Sequence, residues 1–180
     1  NLVVALAIVS LVQNFIVRVH NVSSGSMQTT LGVRDRVLSS NMPYIAGPPQ
    51  RGDIVIFGHG AKWDDPVRSP DPNPAMAAVR IVGDVTGIGL SNRTYTVKRI
   101  IGTPGDTVEC CDAEGRVLVN DEPIDEPYLH RDLPFTAGGL DCTSDRVSAR
   151  CFAPIVVPPD RYLVMGDHRS DSKGSRYNDG

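Results

Sequence analysis

Residues 2–17, LVVALAIVSLVQNFIV, are apolar almost without interruption, and the first charged side chain is Arg18. A helix needs about 20 such residues to cross a bilayer. The run predicts a transmembrane anchor over 1–17, cut short at its start, in preference to a signal-peptide core or a buried helix. Beyond it the period changes. Short runs rich in Val, Ile and Tyr, at Ile54 to Phe57, Val79 to Val82, Thr94 to Ile101, Val117 to Val119, Ile155 to Val157 and Tyr162 to Met165, alternate with clusters of Gly, Pro, Asp and Asn. That pattern predicts a mostly β domain with no amphipathic helix of useful length after residue 20. Residues 58–78, GHGAKWDDPVRSPDPNPAMAA, read as a long surface loop. Residues 110–154 are expected to form a smaller lobe inserted into a β core made of 18–109 and 155–180. The closing SRYNDG reads as a turn, with truncation expected there too.

Composition adds little to the class but narrows the partners. The chain has 180 residues and a net charge of -3, with no basic block of the kind that tracks nucleic acid. Four cysteines, Cys110, Cys111, Cys142 and Cys151, fit no zinc spacing, so no metal is expected. Cys142 and Cys151 are close enough in sequence to close a loop, whereas the adjacent Cys110 and Cys111 are not expected to bridge each other. A Cys142–Cys151 disulfide, the alternative being buried thiols, would point to an oxidising, extracytoplasmic setting.

The stretch VSSGSMQTTL at 22–31 gathers hydroxyls where the apolar segment ends. A serine is a poor nucleophile until a neighbouring base takes its proton. Among the three lysines, Lys62 lies in a polar loop and Lys173 between Ser172 and Gly174, both in solvated surroundings. Lys98 differs, because it falls mid-strand in TYTVKRII, where alternation sets it on one face with Thr96 and Ile100 and sets Arg99 on the other. From this strand alone, an edge lysine that discourages aggregation is an equal reading.

Four segments then line up in order: SSGSM at 23–27, RGDIVIF at 51–57, VKRIIGTPGDTV at 97–108 and MGDHRSDSKGSR at 165–176. Together, behind an apolar segment, they resemble the boxes of bacterial type I signal peptidases, the leader peptidases. The resemblance implies a β catalytic core that removes signal peptides from exported preproteins by a Ser/Lys dyad without a cofactor. Small residues at -1 and -3 of the substrate, a bilayer as partner, and a catalytic domain on the extracytoplasmic side of the bacterial membrane go with it. Matched box by box, it places Ser26 as nucleophile and Lys98 as general base, with Ser24 and the Ser26 amide forming the oxyanion hole. Ser172 falls at the hydroxyl that orients the lysine, and Asp167, Arg169 and Arg176 fall at supporting positions. A lysine ammonium with an ordinary pKa near 10.4 is neutral in only ~0.1% of molecules near neutral pH, so burial must lower it.

Departures from the family pattern are visible. Ser23 and Thr29 stand where Pro is frequent, His168 where Asn is usual, and Gly174 where an Asp is usual. His168 is expected to be a hydrogen-bonding loop residue and Gly174 a tolerated loss. Three rival readings carry less: Arg51-Gly52-Asp53 as an adhesion motif, Ser170 to Lys173 as the S-x-x-K of penicillin-binding enzymes without its companion motifs, and a self-cleaving repressor, which the apolar N-terminus opposes.

Overall fold

The computed structural model describes residues 1, 4–5, 7–8, 11–12, 16–40, 42–58, 73–86, 95–172 and 174. The expected β character is present, in nine strands and few helices: β1 (Val17–Asn21), β2 (Arg36–Ser40), α1 (Pro43–Ala46), β3 (Ile54–Gly58), α2 (Pro74–Thr86), β4 (Tyr95–Gly102), β5 (Thr107–Cys110), β6 (Val117–Val119), β7 (Glu122–Pro123), β8 (Phe152–Val156) and β9 (Leu163–Met165). Among the described residues no helix is long and apolar enough to cross a membrane.

One compact unit comprises 1–22, 34–48 and 56–96, and a second comprises 23–33, 49–55 and 97–180. In the first, β1 and β2 pair antiparallel from Val17 opposite Ser40 to Asn21 opposite Arg36.

The first unit also holds the clearest departure from the sequence pattern. Val79 to Val82 are not a strand but the middle of α2. The Asn73 side chain accepts a hydrogen bond from the Ala75 N–H at 3.0 Å, and Pro74 occupies the first helical position. An Asn cap followed by Pro is a helix start, and the alanines behind it favour helix strongly enough to carry the β-branched VRIV along. The end of the expected surface loop, 74–78, is therefore helical, while 59–72 lie outside the described residues.

The second unit contains the hydrophobic core. Its four-stranded sheet runs β7-β6-β5-β8, with β5 central and antiparallel to β6 and β8. Alternation along β5 and β6 turns Val108, Cys110, Val117 and Val119 into a cluster with Ile101, Val157, Leu163 and Met165. In the other sheet, of order β3-β4-β9, β4 lies antiparallel to β9 with Arg99 opposite Met165 and Ile100 opposite Val164. The turn from β4 into β5 is closed by Asp106, whose carboxylate accepts from the Thr103 N–H and hydroxyl, from Asn120 and from Arg51. Burial works to raise the Asp106 pKa, but these donors outweigh it and hold the carboxyl below its usual range. Arg51 is thus tied to this turn, ion-paired to Asp106 at 3.0 Å, while the Gly52 N–H donates to the Ile100 carbonyl of β4 at 2.8 Å.

Two disulfides occur. Cys142 and Cys151 are bonded, with their Cα atoms 5.5 Å apart. Cys110 and Cys111 are also bonded to each other, contrary to the expectation from their adjacency. Once Cys142 and Cys151 have paired, each neighbour has only the other left as a covalent partner.

Candidate active site

The hydroxyl-rich run folds into successive tight turns. The Gln28 N–H donates to the Gly25 carbonyl at 3.0 Å and the Leu31 N–H to the Met27 carbonyl at 2.8 Å. Met27, 1% exposed, pins the run by burying its side chain, and Ser26 beside it is 6% exposed. From the last box, the His168 N–H donates to the Ser26 carbonyl at 3.1 Å. Gly166 lies against the same carbonyl: a Cβ there would stand 2.5 Å from the Ser26 oxygen and would also collide with Ser172. Glycine at 166 is thus the only residue that lets the two segments approach this closely.

Lys98 enters from the middle of β4 and is 4% exposed. Its Nζ lies 2.8 Å from Ser26 Oγ. Ser24 Oγ lies 3.3 Å from the same oxygen. Desolvation lowers the Lys98 pKa from 10.5 to about 8, against the attraction of Asp171 and then Asp167, which favour the ammonium. At that pKa roughly a fifth of the molecules carry a neutral amine near pH 7.4, against ~0.1% for an exposed lysine.

Arg99, on the other face of β4, makes the second connection. It holds Asp167 in a two-point pair, Nε to Oδ1 at 2.9 Å and Nη2 to Oδ2 at 2.7 Å. Thr30, from the nucleophile loop, donates its hydroxyl to Asp167 Oδ2 at 2.6 Å, and Arg99 Nη1 donates to the Gly52 carbonyl at 2.8 Å. Asp167 is fully buried. The Arg99 guanidinium also stacks 3.9 Å over the Tyr128 ring, a favourable cation–π geometry. Tyr128 donates its hydroxyl to Glu126 at 2.9 Å. Glu126 also accepts from Arg169, whose Nε donates to the Gly166 carbonyl at 2.9 Å. Burial, then the Glu126 charge, pushes the Tyr128 phenol up, so it stays a protonated donor.

A sequence profile described as signal peptidase, peptidase S26, matches residues 1–180. The chain belongs to the signal peptidase family. Its relatives include the probable signal peptidase I of Mycobacterium leprae, 31% identical over 181 residues that cover 97% of this chain and 61% of that protein. Signal peptidase I of Mycobacterium tuberculosis (strain CDC 1551 / Oshkosh) is 31% identical, with 97% and 60% covered, and signal peptidase I S of Bacillus subtilis is 32% identical, with 97% and 74% covered. The chain spans about three fifths of the length of the mycobacterial relatives.

Within this family member, the geometry brings together Ser24, Ser26, Lys98, Asp167 and Arg169. Ser172 is near Gly166, its Oγ buried and without a hydrogen-bond partner among the described residues. Arg176 lies outside the described residues, as do Lys62 and Lys173. Thr30, Arg99, Glu126 and Tyr128 are the supporting residues that sequence reasoning left unassigned. Only Arg99 had a signal, as the second cation of a strand that could not hide both.

The backbone leaves little room for a side chain at Gly174. A Cβ at this position would lie 2.7 Å from the Val164 carbonyl oxygen, a backbone atom that cannot turn away. Restoring the family's Asp by Gly174→Asp should therefore destabilise the protein by about 1–3 kcal/mol. Thermal unfolding of the two forms checks this; an unchanged melting temperature would mean that the chain has room there.

Proposed function

We propose that the chain is a membrane-anchored serine endopeptidase that removes N-terminal signal peptides from exported preproteins. In this reading Ser26 is the nucleophile and neutral Lys98 is the general base. The observation that carries it is the buried Lys98 amine 2.8 Å from Ser26 Oγ, within reach for direct proton transfer.

The neutral amine takes the hydroxyl proton as Oγ attacks the scissile carbonyl, and the resulting ammonium returns that proton to the leaving amine. Ser24 and the Ser26 N–H, which makes no backbone hydrogen bond among the described residues, face the developing oxyanion. Ser172 is assigned to orienting the lysine amine when substrate is bound, its hydroxyl being buried and without a hydrogen-bond partner among the described residues. Asp167 and Arg169 brace the site, and Arg176 is assigned to the same bracing role. Residues 1–17 are the anchor. Since Arg18 and Ser26 are eight residues apart, even a fully extended chain keeps the nucleophile within ~28 Å of the anchor's end, close to the bilayer surface where a signal peptide emerges. The substrate carries small residues at -1 and -3.

The test is incubation of the chain in lipid with a preprotein bearing an Ala-x-Ala site, beside Ser26→Ala. Cleavage after the second Ala by the first and none by the second is expected. Cleavage by Ser26→Ala would end the assignment. In the same assay Ser24→Ala should lower kcat with little change in KM, since one oxyanion donor contributes ~2.7–4 kcal/mol to the transition state. Full turnover in that variant would remove Ser24 from the site.

A further inference from the structure

Beside the dyad stands a charge that the chemistry above does not use. Asp171 ends the 3-10 turn Arg169–Asp171, and two backbone bonds tie that turn to the nucleophile. The Asp171 N–H donates to the His168 carbonyl at 3.1 Å, and the His168 N–H donates to the Ser26 carbonyl at 3.1 Å. The carboxylate therefore has a set place above the hydroxyl loop. A Cβ on Gly25, between Ser24 and Ser26, would stand 3.1 Å from Asp171 Oδ2 and 3.4 Å from the Gln28 side-chain oxygen. Asp171 is exposed to solvent there.

The cations nearby are committed elsewhere. Arg169, in the same turn, is buried against Glu126 and the Gly166 carbonyl, and Arg99 is held by Asp167. Among the described residues the Asp171 carboxylate has neither a hydrogen bond nor an ion pair. By itself it works against the reaction, since it favours the ammonium form of Lys98 when a neutral amine is needed. A cation arriving with the substrate would cancel that pull at the moment the base must act.

We propose that Asp171 reads the charge of the preprotein next to the scissile bond, favouring a basic side chain at -2, +1 or +2 over an acidic one. The inference rests on the peptidase reading above, in which -1 and -3 are small, so a charged side chain has to come from the other flanking positions. A carbonyl attacked by Ser26 Oγ lies beside Gly25, and one or two residues of extended chain span only ~3.3–7 Å from it. A long basic side chain at those positions can reach the carboxylate. Opposite unit charges ~4 Å apart in water attract strongly enough for about a fivefold preference, and salt weakens it.

The experiment uses the full chain in zwitterionic lipid, which attracts neither charge. Its substrates are preproteins with one Ala-x-Ala site that differ only in carrying Arg, Gln or Glu at -2, +1 or +2. The pH is set above the Lys98 range, so the amine is neutral in every form. At one or more positions kcat/KM should be about fivefold higher for Arg than for Gln, with Glu lower by a similar factor. Asp171→Asn should level the three, and Asp171→Arg should invert their order. Each comparison sets substrates against one another on one enzyme, so any change in Lys98 basicity cancels. Equal rates for the three on the wild-type chain at every position, or an order that survives Asp171→Asn, would overturn the proposal. If the wild-type chain cuts none of them, the neutral Gln form included, the peptidase reading itself fails and this inference with it.

Discussion

Lys98→Arg should abolish cleavage as completely as Lys98→Ala, although it keeps the positive charge. A guanidinium does not lose its proton in a protein, so no base would remain 2.8 Å from Ser26 Oγ. General-base assistance contributes ~10²–10⁴-fold on its own, and a loss at or beyond the upper end is expected because the other side chain hydrogen-bonded to the nucleophile, the Ser24 hydroxyl, is not a base. In the wild-type chain the sign of the pH dependence follows from the lowered pKa. The amine is protonated and idle below about 8 and becomes competent above it, so kcat/KM should rise through this range and level off. Asp171 is the foremost of the charges that favour the ammonium. Asp171→Asn should therefore shift that limb to lower pH. A pH–rate profile of the four forms on one preprotein checks all of this; an active Lys98→Arg would require another base.

Asp167→Ala should be the most destabilising of the single substitutions near the site. The carboxylate is fully buried and holds both Arg99, through two hydrogen bonds, and Thr30. Removing one partner of a buried ion pair leaves the other charge uncompensated, at a cost of about 3–5 kcal/mol. For a domain of this size that is a fall in melting temperature of roughly 6–20 °C. Thr30→Val removes only one donor and should cost about 1 kcal/mol. Calorimetry of both variants provides the comparison, and an Asp167→Ala variant that melts like Thr30→Val would mean that Arg99 finds another anion.

The contact of Lys98 with Ser26 was legible in the sequence because few residues qualified. Three lysines left one candidate on a strand, and the order of the boxes matched it to Ser26. The strands rich in apolar residues, β3, β4, β6 and β9, were legible for the same reason that they form: burial on a pleated face. β1 and β2 escaped notice because VRVHN and RVLSS mix apolar with polar residues, and their pairing is made by partners rather than by composition. α2 was misread because Val and Ile outweighed Asn73 and Pro74, although the cap was the more specific signal. Thr30, Glu126 and Tyr128 carried no local mark. Their roles come from where the fold sets them beside Arg99, Asp167 and Arg169, which a single sequence does not record.

The contacts that assemble the site join residues very far apart along the chain: 72 positions between Ser26 and Lys98, 68 between Arg99 and Asp167, and 137 between Thr30 and Asp167. Closing such loops is slow, because chain entropy is lost before any contact compensates for it. The Ser26 loop is therefore tied down by a partner, Asp167, that lies 137 positions after Thr30. A site built this way takes its final geometry only when distant segments have come together, so it is a late product of folding rather than a local one.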